Sequence, residues 1–316
     1  MDLTCKLRFT MLDVRRLRLL RELAERGTVT AVAHALSYTP SAVSQQLAAL
    51  ERDAGVPLLE RVGRGVQLTE AGRRLVTHAD AVLARLEAAE ADLEAASGRV
   101  FGRVRIASFQ TAAHALVLPV MHPLEERHPE LVCQVVQAEA EDALPALRLG
   151  DVDLVIGEEY EHAPRQRDPA LEYRDLCRDE LVFAVPASHR TAGQETIAFA
   201  DLAGEEWAGG ELSTAWHDML VRACRSLGGF EPDVRHYVDD VRLILGLVGA
   251  TGAVALVPLM GWSGELGGVV VRPATEPDLH RRIFTAARRG TADRPVQTAV
   301  RQALAGRARA LGLQTA

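Results

Sequence analysis

Apolar positions in this chain change their period twice, and the changes divide it into three stretches. Between Asp13 and Val66 they recur in short helical bursts separated by turn residues. Val29, Val32, Ala33 and Leu36 share one face of a helix that Thr28 can cap, and Ser37 with Tyr38 makes the turn that follows. Thr39 and Pro40 open a second helix, with threonine as N-cap and proline at the first helical position, where its missing N–H costs nothing. There Val43, Leu47 and Leu50 point inward at steps of four and three, so Ser41, Ser44, Gln45 and Ala48 point outward. Gly55 ends this helix, and residues 58–68 read as a hairpin carrying Arg61 and Arg64 at its tip.

The second stretch, residues 69–97, contains no proline and one early glycine, and runs in strong helix formers. Leu75, Ala79, Val82, Leu86, Ala89, Leu93 and Ala96 recur at alternating steps of four and three, the period of a coiled-coil seam. A helix of nearly 30 residues reaches roughly 40 Å, more than a domain of the preceding size can cover. A dimer seam is therefore expected, and packing against its own chain is the alternative. Beyond Gly98 the texture alternates: VRIAS, a helical run to about Arg127, LVCQVVQA, EDALPALRLG, then VDLVIG. That reads as βαβ units around a parallel sheet.

Charge sharpens this division. The 316 residues carry a net charge of −7, yet residues 1–66 hold ten Lys and Arg against seven Asp and Glu. A basic head on an acidic body fits a DNA-binding module joined to something that does not touch DNA. No apolar run is long enough to cross a bilayer, and the first ten residues lack the features of an export signal, so a soluble cytoplasmic protein with no membrane partner is expected. Cys5, Cys133, Cys177 and Cys224 form no CxxC pair and read as reduced, mostly core-filling thiols. The outward face of the second helix, small and amide side chains almost without charge, suits insertion into a major groove, where Gln and Ser meet base edges. Arginines on an adjacent hairpin suit phosphates or the minor groove.

The segments VRRLRLLRELAERGTVTAVAHAL, TPSAVSQQLAALE and GVPLLERVGRGVQLTEAG resemble the LysR family of transcriptional regulators, densely over residues 13–97 and more loosely to the C-terminus. The resemblance implies an α/β chain with an N-terminal winged helix-turn-helix over 11–68 and a linker or coiled-coil dimerisation helix over 69–98. A periplasmic-binding-protein-like effector domain follows over 102–316. Its subdomain I would span about 102–178 and 280–316, and its subdomain II 179–279. It further implies that Pro40, Ser41, Ser44 and Gln45, next to the capping Thr39, touch DNA, with Arg61 and Arg64 on the wing. Many members carry arginine where this chain has Gln45; glutamine favours adenine and arginine guanine. The implied partners are double-stranded DNA bearing an interrupted inverted repeat in a promoter, a small-molecule effector, RNA polymerase as a candidate, and further copies of the chain as a homodimer or a dimer of dimers. The family pattern begins near Met11, so residues 1–10 are expected to be a leader or an arm outside the fold.

In open α/β sheets ligands sit at the carboxyl ends of strands. That rule selects Ser108, Gln110 and Thr111 after VRIAS, Gly157 and Glu158 after VDLVI, the loop ending in Ser213, and Asp239 before VRLILGLVG. A polar metabolite bearing a carboxylate, anchored at Ser108, Gln110 and Thr111, is the expected effector; a cation held by Glu158 and Asp239 is the alternative. Glu158, Glu159, Glu161 and His162 otherwise read as a solvated acidic loop, and His122 and His128 as surface residues. The chain contains no P-loop, H-E-x-x-H, G-x-S-x-G or strand-borne G-x-G-x-x-G. No catalytic residue, metal site or cofactor is expected.

Overall fold

A computed structural model of the chain describes residues 11–63, 65–160, 166–212, 214–262, 264, 267–275 and 279–315. Arg64, Glu161, His162, Ser213 and the expected leader lie outside the described residues. The chain forms two compact units, one running to Ser97 with Arg289–Asp293 added, the other holding Gly98–Arg288 and the segment from Arg294.

In the first unit α1 (Val14–Arg26), α2 (Val29–Ala35) and α3 (Pro40–Ala54) enclose a core of Leu17, Leu20, Val32, Val43, Leu47 and Leu50. Each helix starts on a side-chain cap: Asp13 Oδ1 accepts from Arg15 N at 2.7 Å, Thr28 Oγ1 from Ala31 N at 3.1 Å, and Thr39 Oγ1 from Ala42 N at 3.2 Å. The antiparallel hairpin of β1 (Leu59–Val62) and β2 (Gly65–Leu68) follows. Glu51 of α3 holds it, accepting from the amides of Leu58 and Leu59 at 2.9 and 3.0 Å. The long helix α4 (Glu70–Ala96) then packs along α1. A Cβ on Gly72 would lie 2.2 Å from Leu58 O, so only glycine lets α4 leave the hairpin this closely.

The second unit runs β3 (Gly102–Ser108), α5 (Gln110–Ala112), a π-helical turn Ala113–Val117, α6 (Leu118–Arg127), β4 (Leu131–Gln137), α7 (Ala140–Leu149) and β5 (Leu154–Tyr160). It continues through β6 (Leu171–Pro186), β7 (Glu206–Gly209), α8 (Ala215–Ala223), β8 (Asp233–Tyr237), α9 (Val241–Thr251), β9 (Val254–Pro258), β10 (Val269–Pro273), β11 (His280–Arg288) and α10 (Pro295–Ala310). Strand order is β4-β3-β5-β11-β6-β9-β7-β8, with β10 also on β6. The first half of β6 pairs with β11 and its second half with β9 and β10, so the strand serves two sheets in turn. The chain crosses forward through β6 and returns through β11, which creates two lobes.

Each lobe has its own core. Ala107, Leu147, Val155 and Phe284 fill one. Phe183, Phe199, Trp207 and Leu220 fill the other, where the Phe183 and Phe199 rings meet edge to face at 4.8 Å. A Cβ at Gly157 would come within 2.5 Å of the Phe284 ring, so β5 and β11 approach closely there because the residue is glycine. The strand ending in VDLVIG runs on to Tyr160, which puts Glu158 and Glu159 inside the sheet, 8 % and 4 % exposed, instead of in a solvated loop.

Candidate functional site

The first candidate surface is the outer side of α3. Val43, Leu47 and Leu50 are buried, and this fixes which side chains can face away. Ser41, Ser44 and Gln45 are exposed, Ala48 is half-buried, and Pro40 occupies the first turn. Arg16 Nε donates to Gln46 Oε1 at 3.0 Å and the same guanidinium pairs with Asp53, which ties Gln46 to α1. Gln45 and Ser44 make no side-chain hydrogen bond among the described residues, so their donors and acceptors are available to bases. Thr39 Oγ1 lies 3.1 Å from Ser41 Oγ, ordering the N-terminal turn. Arg61 is exposed on β1.

The stripe on α4 divides in two. Leu75 and Ala79 pack into the core of the first unit, contrary to their assignment to a seam. They lie on the turns that face α1. Val82, Leu86 and Leu93 are 40 %, 43 % and 74 % exposed, and Ala89 and Ala96 are exposed with them.

The second candidate surface is a cavity of about 240 Å³ between the two lobes of the second unit. Gln110, Thr111, Glu139 and Glu158 line it from one lobe, Trp216 and Asp239 from the other, and Arg281 from β11. Phe109 adds an apolar wall, and its ring stacks 4.8 Å from the Arg281 guanidinium. Arg281 sits where a strand position faces inward, and it is 3 % exposed. Its Nε donates to Asp179 Oδ2 at 2.9 Å, Nη2 to Thr111 Oγ1 at 2.6 Å, and Nη1 to Glu158. Glu158 also accepts from Tyr160 OH at 2.8 Å. Burial works against the charged guanidinium, but Glu158 and Asp179 outweigh it and raise the Arg281 pKa. The Tyr160 phenol is raised as well, by burial and then by Glu158.

Glu139 precedes α7, and its side chain makes no capping bond. Burial, then the charges of Glu158, Asp239 and Glu141, push its carboxyl up to about 7, while Arg281 opposes the shift. Asp239 Oδ1 accepts from Glu211 N at 2.9 Å. Its neighbour Asp240 caps α9 through Leu243 N and accepts from Gln110 Nε2 at 2.6 Å, joining the lobes.

The structure therefore brings Gln110, Thr111, Glu158 and Asp239 together and leaves Ser108 out. Ser108 is fully buried, and its hydroxyl donates to Phe109 O at 3.1 Å because β3 ends beneath the cavity floor. Sequence reading missed Arg281 and Glu139. Arg281 stands two positions before Ile283, the start of the apolar run IFTAA, a legible signal since an inward cation in a strand requires buried carboxylates. Glu139 carried no such mark. No cluster of metal-binding side chains occurs among the described residues, and no helix there is long and apolar enough to cross a membrane.

Comparison with known proteins matches the model of the LysR substrate binding domain over residues 97–309 and that of the bacterial regulatory helix-turn-helix protein, lysR family, over residues 14–73. The HTH-type transcriptional regulator ShiR of Corynebacterium glutamicum (strain R) is 31 % identical over 230 residues, covering 70 % of this chain and 74 % of its own. Among solved structures, full-length OxyR of Pseudomonas aeruginosa superposes with a TM-score of 0.67 at 20 % identity, over 94 % of this chain and 97 % of that one. Full-length BenM gives 0.60 at 23 % identity, over 96 % and 99 %. At those identities the structures speak for the fold, the two family models and ShiR for the lineage: the chain belongs to the LysR family of transcriptional regulators.

Proposed function

We propose that this LysR-type regulator reads an interrupted inverted repeat in a promoter through α3 and transmits the occupancy of the cavity between its effector lobes to that DNA. The proposed divisions are 11–68 for the winged head, 69–98 for the linker and 102–316 for the effector domain. Subdomain I then spans about 102–178 and 280–316, and subdomain II 179–279. The observation that carries the DNA reading is the exposed, nearly uncharged side of α3, where Ser41 is exposed and Ser44 and Gln45 have no other side-chain partner among the described residues. Thr39 and Pro40 set the start of the helix against the phosphate backbone, where free N–H groups favour an anion. Arg61, and Arg64 beside it in sequence, hold phosphates.

A second copy meets the first along Val82, Leu86, Ala89, Leu93 and Ala96, whose exposure leaves apolar surface uncovered in a lone chain. The effector is a small polar metabolite, and Gln110, Thr111, Glu158 and Asp239 belong to its pocket. RNA polymerase as a partner follows from family membership, and the LysR assignment makes a binding protein, not an enzyme, of the α/β body. Mobility shifts on DNA upstream of the protein's own gene, with and without a metabolite panel, test the reading. Retarded complexes whose midpoint moves with a metabolite support it, and no retardation at any salt concentration counts against it.

A further inference from the structure

We propose that the cavity takes a cationic effector, a small amine or guanidinium compound held between Glu139 of one lobe and Asp239 of the other. The inference rests on the reading of this cavity as the effector site, and it reverses the carboxylate expected from strand ends alone.

Charge decides the matter. Carboxylates of Glu139, Glu141, Asp142, Glu158 and Asp239 line the cavity, and Arg281 is the cationic side chain facing them among the described residues. Arg281 is already engaged by Glu158, Asp179 and Thr111. An incoming carboxylate would meet no available cation and several like charges, a juxtaposition that opposes its binding. Thr111 Oγ1 accepts from Arg281 Nη2, so this hydroxyl offers an anion one neutral O–H donor against several carboxylates.

Two acceptors stand ready for a donor. Glu139 makes no side-chain hydrogen bond or ion pair among the described residues, and burial first, then the charges of Glu158, Asp239 and Glu141, raise its pKa. Gln110 gives its amide N–H to Asp240, which identifies the other end of the amide as the oxygen. That Oε1 is buried and accepts no hydrogen bond among the described residues. An open acceptor in a buried position calls for a donor group. Glu158 is a poor holder of the ligand because Arg281 and Tyr160 occupy its oxygens, so the cation falls to Glu139 and Asp239. A cavity of about 240 Å³ has room for a compact small molecule.

The test is calorimetry and thermal melting of the full-length protein with butylamine, putrescine and butylguanidinium against butyrate, succinate and butyramide. The cations are expected to bind and raise the melting temperature, and the carboxylates and the neutral amide to do neither. Glu139→Gln and Asp239→Asn, each verified as folded by circular dichroism, should weaken cation binding about tenfold. Glu231→Gln, which removes a carboxylate outside the cavity, should not weaken it. Binding of succinate or butyrate that Thr111→Val abolishes would overturn the inference while leaving the cavity as the effector site. Cation binding equal in wild type, Glu139→Gln and Asp239→Asn overturns it too, as does the failure of every cation to bind at millimolar concentration. The underlying effector reading fails on a different result, a metabolite response that survives Ala215→Trp, which fills the cavity.

Discussion

Arg281 and Glu139 show how one buried charge sets the character of a pocket. Removing the guanidinium with Arg281→Met leaves Glu158 and Asp179 buried beside each other's charge, and breaking a buried pair from one side costs about 3–5 kcal/mol. Urea denaturation should show that loss, whereas a change below about 1 kcal/mol, the scale of an exposed ion pair, would mean the network is solvated. Glu139 makes the opposite kind of prediction. Its carboxyl is raised from 4.5 to about 7 by burial, Glu158, Asp239 and Glu141, with Arg281 opposing. Between those values the folded protein keeps a proton that the unfolded chain has released, so stability falls as pH rises through that window. Glu139→Gln should flatten the fall, and melting temperatures recorded across the window for both proteins check it. At the DNA end, Gln45→Ala should cost about 1–3 kcal/mol on the preferred operator and less on altered ones, while Arg61→Ala should weaken every sequence and lower the salt slope by about one. Binding isotherms on operator variants at several salt concentrations separate the two. A uniform loss from Gln45→Ala would remove that residue from the base-reading set.

Among the elements, α3 was the most legible because everything that defines it is local. Thr39 as cap, Pro40 at the first position, Gly55 at the end and the spacing of Val43, Leu47 and Leu50 all lie within one helix, and the cap, core and stop appear as read. The helix α4 was legible in extent but not in partner. Period alone could not tell that Leu75 and Ala79 would meet the core of the head while Val82, Leu86 and Leu93 stayed exposed, because a heptad looks the same whatever covers it. That division improves the assembly test. Leu86 is 43 % exposed in the single chain, so Leu86→Glu should leave the head folded and break the proposed dimer, where an unpaired carboxylate would be buried. Sedimentation should give a monomer with unchanged helix content, and an intact dimer would contradict the seam. The run VDLVIG stopped short for a related reason. Glu158, Glu159 and Tyr160 look like the start of a loop until Arg281 and Arg282, more than a hundred positions away, neutralise the two glutamates from β11.

For the whole molecule, the pattern that could be read was the order of parts, and the part that could not was the pocket. Glu139, Glu158, Asp239 and Arg281 meet only because β6 and β11 carry the chain out of one lobe and back, and no periodicity records a meeting at such separations. Strand ends selected Gln110, Thr111, Glu158 and Asp239, which line the cavity, but not Glu139 or Arg281, which set its charge. The thiols bear on the whole response. Cys133, Cys177 and Cys224 are buried and free, and burial first, then nearby carboxylates, raises them to about 11, 12 and 12. Thiols held so firmly protonated are weak nucleophiles, so peroxide applied to the wild type and to the triple Cys→Ala variant should shift operator affinity no more in one than in the other. The central claim, a head that reads DNA through α3 as a two-fold pair, is tested most directly by footprinting the full-length protein on DNA flanking its own gene. Two protected half-sites in inverted orientation are expected, separated by whole turns of about 10–10.5 base pairs, and both lost together with Ser44→Glu. Protection that persists with Ser44→Glu, or a single footprint without inverted symmetry, would contradict it.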